Sequence, residues 1–299
     1  MRVLLALLLV CAAAGALAQS TNAERSKSAL EALSDMDRLD REARAARGLQ
    51  LTEPEKVIQA VTDAIGRRDC PGAVSALNGG LAKAYPEVFN LAGVLYEEGI
   101  CVKQNWERAV TLYQRALGGG HTGAAARLAA GYASPVGGRD KAASLWWALR
   151  AKTALPEACK QVAGLVDDPY RFVAALQAWP AGRMDACAYS GAVMASVQAE
   201  AEAGSTGVAT SYGLAGAVRV AFVPATSQVD FIDELVATSL PAGVAVGNVD
   251  LEAGRRDARR IFIAALRQRA ELALKRYDKP ATLPAEWRAE GSYAFTPRH

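Results

Sequence analysis

The stretch Leu91-Ala92-Gly93-Val94-Leu95-Tyr96-Glu97-Glu98-Gly99-Ile100-Cys101-Val102-Lys103-Gln104-Asn105-Trp106-Glu107-Arg108-Ala109 decides how the chain is read. Extended back to Val88, it sets apolar residues at 88, 92 and 96, one stripe of a helix. Gly99 ends that helix, and Arg108-Ala109-Val110 opens a second one carrying Tyr113 and Ala116. Thirty-six residues further on, Ala124, Leu128 and Tyr132 repeat the first stripe. Lys141-Ala142-Ala143-Ser144-Leu145-Trp146 then repeats the second helix. Upstream, Gly72-Ala73-Val74 to Leu77 keeps the same step, and downstream Ala158 to Val166 repeats the first pattern after 34 residues.

A short helix with one apolar stripe cannot bury it alone, so units recurring at this period are expected to stack into an α-solenoid of helix pairs. Ala92, Ala109 and Ala142 let neighbouring helices approach closely. Leu128 fills the stripe, while Tyr96, Tyr113, Tyr132 and Trp146 are expected to fill the gaps between pairs. Glycines at 99 and 118–120 and the run Pro135 to Gly138 supply the breaks between helices.

The quoted run resembles a Sel1-like repeat, a relative of the tetratricopeptide repeats. The shared features are an apolar-Gly-x-x-Tyr helix at 92–96, a glycine turn at Gly99, and the basic-Ala pair Arg108-Ala109 opening the second helix. Cys101 and Asn105 depart from that pattern at its second glycine and its acidic position, and the next unit lacks the glycine turn. The resemblance covers roughly residues 70–170 and implies a helical solenoid that binds other proteins.

Outward from the repeats, the 299 residues suggest about two domains. Apolar residues are 51% and charged residues 22% of the chain, enough for a packed core. A formal charge of +3 gives no field that argues for nucleic acid. The first eighteen residues read as a signal peptide: Arg2, an apolar run from Val3 to Ala14, then Ala16-Leu17-Ala18 for cleavage near Ala18. That run is shorter than the roughly 20 residues of a spanning helix, and no later segment is apolar enough to cross a membrane. Val10 before Cys11 is not the small residue that lipidation favours. A periplasmic or secreted location follows as the expectation.

Export makes the remaining cysteines, Cys70, Cys101, Cys159 and Cys187, candidates for two disulfides. Four cysteines allow three pairings, and chain order favours Cys70–Cys101 with Cys159–Cys187. In the stacked register Cys70 opens one second-type helix and Cys101 immediately precedes the next, on the same edge.

Residues 19–50 are expected to hold a charged helix with Leu30, Leu33, Met36 and Leu39 on one side. Thr52-Glu53-Pro54-Glu55 is a capping box that starts the helical region, expected over 51–204. Asp168-Pro169 opens a helix bearing Phe172, Leu176 and Trp179, and a further helical run covers Ala186 to Ala203. From 205 to 299 the composition changes. Val218, Val220 and Phe222 alternate as a strand, Val229 to Thr238 reads as its hairpin partner or, on Asp230, Asp233 and Glu234, as a helical turn, Leu251 to Tyr277 is a helix, and Trp287 to Phe295 alternates again. The order β-β-α-β predicts a small α+β domain. The first strand (Gly216 to Phe222) and the last (Trp287 to Phe295) resemble those of the TonB C-terminal domain. That likeness implies binding of a receptor peptide by strand addition. A cleavable leader and the lack of a proline-rich spacer depart from that family.

Chemistry-bearing residues are few. The histidines are His121, at a helix entry, and the terminal His299. Asp167-Asp168 suits a helix start before Pro169, Glu97-Glu98 reads as a solvated helix end, and the glycine runs lack the Lys-Ser/Thr of a phosphate loop. No catalytic, cofactor or metal residues are assigned. Arg255, Arg256, Arg259 and Arg260 form the densest basic cluster and a candidate face for an anionic ligand. The expected function is a non-catalytic envelope scaffold or adaptor whose partner is another envelope protein. The alternatives are an enzyme acting on peptidoglycan and a TonB-like peptide-binding module.

Overall fold

The computed structural model describes residues 48, 50–180, 182–204, 214–233, 236–237 and 251–295. The leader, the charged helix expected within 19–50 up to residue 47, and His299 lie outside them. The first six helices are α1 (Glu53–Gly66), α2 (Cys70–Ala82), α3 (Pro86–Glu98), α4 (Trp106–Gly118), α5 (Ala124–Ala133) and α6 (Lys141–Arg150). Their starts follow from local chemistry. Glu55 reaches back to the Thr52 backbone N–H at 2.8 Å, completing the capping box. Asp69, Asn105 and Asp140 accept from the amides of Gly72, Arg108 and Ala143, each at 2.9 Å. Gly99 ends α3 with φ +72°, the left-handed cap that glycine adopts without a Cβ penalty.

Helices pack mainly with their sequence neighbours, α1 on α2, α3 on α4, and α5 on α6, and each pair touches the next. Aromatics of α4 set both spacings. Tyr113 lies flat on Gly93 of α3, where a Cβ would meet its ring at 2.5 Å. Trp106 covers Gly131 of α5, where a Cβ would stand 1.9 Å from the indole, and it meets Tyr132 edge-on at 5.2 Å. Cys70 and Cys101 are at bonding distance, joining the start of α2 to the turn between α3 and α4.

The stretch Ala158–Val166, read as a further repeat helix, is not one. It holds only α7 (Glu157–Lys160) and a 3₁₀ turn at Ala163–Leu165. Pro156 and Pro169 leave it twelve residues, interrupted by Gly164, too few for a buried pair. Cys159 is instead paired with Cys187 of the long helix α9 (Arg183–Gly204). Between them lies α8 (Pro169–Gln177), capped by Asp168 through the Arg171 amide at 3.1 Å.

Every residue of α9 from 186 to 199 is buried, as its predominance of small and apolar residues requires of a central helix. Ser190 and Ser196 satisfy their hydroxyls on Ala186 O (2.8 Å) and Ala192 O (2.9 Å). Against α9 pack α5, α6 and the last helix, α10 (Leu251–Arg276).

The strands are β1 (Leu214–Val223), β2 (Gln228–Asp233), β3 (Val236–Ala237) and β4 (Ala289–Phe295), so the order is β-β-β-α-β, the expected second strand of 229–238 overlapping both β2 and the two-residue β3. β1 is central and antiparallel to both neighbours, with Val220 opposite Phe231 of β2 and Gly291 of β4. β3 continues the β2 side in the same register, Leu214 facing Ala237. Val218, Val220 and Phe222 turn into the core, while Arg219 faces water.

Two cores result. One runs from Val61 to Leu128 and belongs to the first two pairs and the start of α5. The other joins α5, α6 and α9 to Val218, Phe222, Phe262, Leu266 and Tyr277, so packing continues across residues 204 and 205. On α10 the buried stripe is Phe262, Leu266, Ala270, Ala273 and Tyr277. Ile263, expected there, is half-buried at the side of the stripe.

Candidate functional site

A cleft of about 670 Å³ opens where the last turns of α4, α6 and α9 converge on the entry to α5. Leu117 and Trp147 supply apolar wall, and Arg150, Lys152 and Glu202 the charge. A second cavity of about 270 Å³ shares Lys152 and Glu202 and is lined by Ser292, Tyr293 and Ala294 of β4. The shape follows from how α6 stops: Lys152 takes φ +54°, letting Thr153 N–H return to Ala148 O at 2.9 Å and turning the chain towards α9.

A short hydrogen-bonded chain orients the acid. Thr153 Oγ1 donates to Gln198 Oε1 at 2.7 Å. Gln198 Nε2 donates to Ala151 O and to Glu202 Oε1, both at 2.8 Å. Burial pushes the Glu202 carboxyl above its ordinary value, against the Gln198 bond and the charge of Arg127. The Tyr293 hydroxyl is buried without a hydrogen-bond partner among the described residues. Burial, and then the nearby Glu202, hold its pKa well above that of a free phenol. Gly123 lies between His121 and Glu202: a Cβ there would meet Glu202 Oε2 at 2.7 Å and His121 Nε2 at 3.5 Å.

On the opposite edge lies a buried ionic clasp. Arg276, at the end of α10, meets Glu97 Oε1 and Glu98 Oε1 at 3.2 Å each and donates to Ser134 Oγ at 3.0 and 3.1 Å. Tyr113 donates to Glu97 Oε2 at 2.7 Å. Next to it, Tyr277 donates to Ala130 O at 3.0 Å and lies 3.2 Å from Ser196 Oγ. Burial works against the Arg276 charge, but Tyr277, Glu97 and Glu98 more than offset it and its pKa rises. The solvated reading of Glu97-Glu98 is therefore corrected: Glu97 is 5% exposed, because α10 lands on the C-terminal end of α3. These carboxylates are consumed by internal partners.

The repeat residues divide. Ala92, Ala109, Tyr113 and Leu128 are fully buried, whereas Tyr96, Tyr132, Ala142 and Trp146 are half-buried. Arg108 lies over the Tyr96 ring at 4.6 Å, and Trp146 donates to Val166 O at 2.9 Å. Of the basic cluster, Arg256 and Arg260 are exposed and Arg259 is half-buried; the Arg255 side chain is outside the described set. Asp167 sits 3.4 Å from Arg150 at the surface, and Asp168 is the α8 cap. Among the described residues no three His, Cys, Asp or Glu side chains gather as a metal site would require. Sequence reasoning missed Lys152, Glu202 and Tyr293. The available signal was the pair Gln198 and Glu202, four residues apart and polar in an otherwise small, apolar run. No family model matches the sequence, and no curated protein or solved structure matches it either.

Proposed function

We propose that the chain is an exported adaptor that binds a segment of another envelope protein and carries out no chemistry of its own. The observation that carries this reading is the pair of neighbouring cavities, about 670 and 270 Å³, that share Lys152 and Glu202 in their walls, the larger lined also by Leu117, Trp147 and Arg150 and the smaller by Ser292 and Tyr293 of β4. Concave clefts that mix apolar wall, here Leu117 and Trp147, with polar and charged anchors, here Arg150, Lys152 and Glu202, suit a polypeptide segment with side chains of both kinds. The neighbour-on-neighbour packing of α1 to α6 supports a Sel1-like solenoid, a scaffold that serves binding. Two cysteine pairs at bonding distance, and no described helix long and apolar enough to cross a membrane, agree with export after cleavage near Ala18.

A second reading has its own observation. The smaller cavity runs along Ser292, Tyr293 and Ala294, and β4 pairs only with β1 among the described residues. A partner strand added to that edge would occupy this cavity, the recognition mode that the TonB-like resemblance implies.

Photo-cross-linking from the full chain in its own envelope tests both. A photoreactive residue at Gln114 or Lys152 is expected to capture one discrete protein, and one at Ser292 the same protein if the strand-addition mode operates. A photoreactive residue at exposed Arg171 is expected to capture none. Equal capture at all sites, or hydrolysis of purified peptidoglycan by the full chain, overturns the adaptor reading.

A further inference from the structure

The two cysteine pairs sit in different surroundings. Cys159 and Cys187 are 0% exposed, whereas Cys70 and Cys101 are half-buried at the edge of the first core. Cys70 opens α2, and Cys101 stands in the turn between α3 and α4. There it takes φ +58°, a left-handed conformation that costs a residue with a Cβ about fivefold or more in population.

Helix α2 leans on this bond because little else holds it. Gly79 and Gly80 stand in its interior, and each glycine costs about two- to fivefold in helix formation relative to alanine. Gly80 has no larger substitute, since a Cβ there would meet Val57 at 2.5 Å and Val88 at 2.9 Å. The side chains that α2 buries are Ala73 and Leu77, where α4 buries Leu112, Tyr113 and two alanines. The Cys70–Cys101 pair spans 31 residues, and closing such a loop favours the ordered arrangement by about a hundredfold or more. That factor exceeds what the two glycines together remove, so the bond decides whether α2 stays closed.

We propose that Cys70–Cys101 is a redox-operated latch, whose reduction by a protein dithiol releases α2 while the rest of the fold stays closed. The inference goes beyond the adaptor reading and does not depend on it. One thiolate of the dithiol attacks Cys101 Sγ; a mixed disulfide forms as the Cys70–Cys101 bond breaks, and the electron pair leaves on Cys70. Cys70 is then a thiolate in the first turn of α2, where backbone N–H groups favour negative charge. The second thiol of the reductant attacks its own sulfur in the mixed disulfide and frees Cys101. Two electrons and two protons pass from the dithiol, which ends as a disulfide, to the two cysteines. Release of α2 uncovers Val88 of α3 and the buried face of α1 at Val61 and Ile65. The remaining helices keep their own fastenings: Tyr113 on Gly93, Trp106 on Gly131, and the enclosed Cys159–Cys187 pair.

The test treats the oxidised full chain with dithiothreitol in native buffer, followed by alkylation with N-ethylmaleimide and peptide mapping. Cys70 and Cys101 are expected to be alkylated about tenfold or more faster than Cys159 and Cys187. Hydrogen exchange on the selectively reduced chain is expected to speed up about a hundredfold or more at the α2 amides and to stay unchanged in α9. Reoxidation is expected to restore the protection. The variant C70S/C101S is expected to show the same local opening without reductant. Gly79→Ala, which meets nothing within 4 Å, is expected to slow α2 exchange in the reduced chain by about two- to fivefold. Equal reduction of both pairs, or reduction only after the whole chain unfolds, overturns the latch. So does selective reduction that leaves α2 exchange as it was. Loss of protection through both cores in one step overturns it too, and makes the bond a staple of the entire fold.

Discussion

Arg276 shows how one side chain settles where the C-terminal part of the chain sits. Its guanidinium is 12% exposed and has three oxygen partners, Glu97, Glu98 and Ser134, from two different helix ends. Breaking a buried pair costs far more than the pair contributes relative to apolar residues, because the abandoned charge stays desolvated. Arg276→Ala leaves Glu97 buried beside the Tyr113 hydroxyl and is expected to lower stability by about 3–5 kcal/mol in urea unfolding. Adding Glu97→Gln and Glu98→Gln to Arg276→Met removes the stranded charges and is expected to recover most of that loss. A cost below about 1 kcal/mol for Arg276→Ala, the range of an exposed pair, would show the clasp to be solvated after all. None of this was legible in the sequence. Glu97-Glu98 looks like any acidic helix end, and its partner lies 179 residues away.

Among elements, helix starts were legible at Thr52 and Asp168, because caps are local, while α4 starts two residues before the expected Arg108, on the cap Asn105. Thr52, Asp69, Asn105, Asp140 and Asp168 each stand one residue before the helix they open. The first strand was legible for a similar reason, since alternation at Val218, Val220 and Phe222 separates a core face from a wet one. Periodicity misled where it was short. Ala158–Val166 has the right spacing but lacks the length to nucleate a helix between two prolines. On α10, Ile263 and Phe262 are adjacent, and pattern alone could not choose which one faces the core. Helices approach closely at Gly93 and Gly131, and one pair of substitutions separates that role from mere helix content. Gly131→Ala would push a Cβ to 1.9 Å from the Trp106 ring and is expected to destabilise by about 1–3 kcal/mol. Gly79→Ala on α2 has nothing within 4 Å and is expected to stabilise by about 0.5–1 kcal/mol through helix propensity. Thermal melts that move both variants upward would mean that Trp106 is free to leave Gly131.

For the whole molecule, composition and packing divide the chain at different places. The shift near residue 204 marks where strands replace helices, yet α9 on one side and β1 and α10 on the other fill one core. Tyr189 of α9 meets the Phe222 ring at 6.0 Å, and Ser196 meets the Tyr277 hydroxyl. Phe222, Phe262, Leu266 and Tyr277 each bury a large side chain, and full burial of such a group stabilises by about 1.5–3 kcal/mol. Deleting these four alone removes about 6–12 kcal/mol, comparable with the whole stability of about 5–15 kcal/mol of a typical domain. A fragment covering residues 19–204 keeps both cysteine pairs and all of α1 to α9 but loses that surface. Calorimetry on it is expected to show no cooperative transition for the α5–α6–α9 region, with retention confined to the first core around Val88, Leu95 and Tyr113. In the full chain, hydrogen exchange is expected to protect the α9 amides most strongly, because that helix is enclosed on all sides. A fragment that instead melts sharply with α9 protected would mean that the sheet and α10 are an appendage, and that the β4 wall of the smaller cavity belongs to a unit able to move independently of the helix pairs.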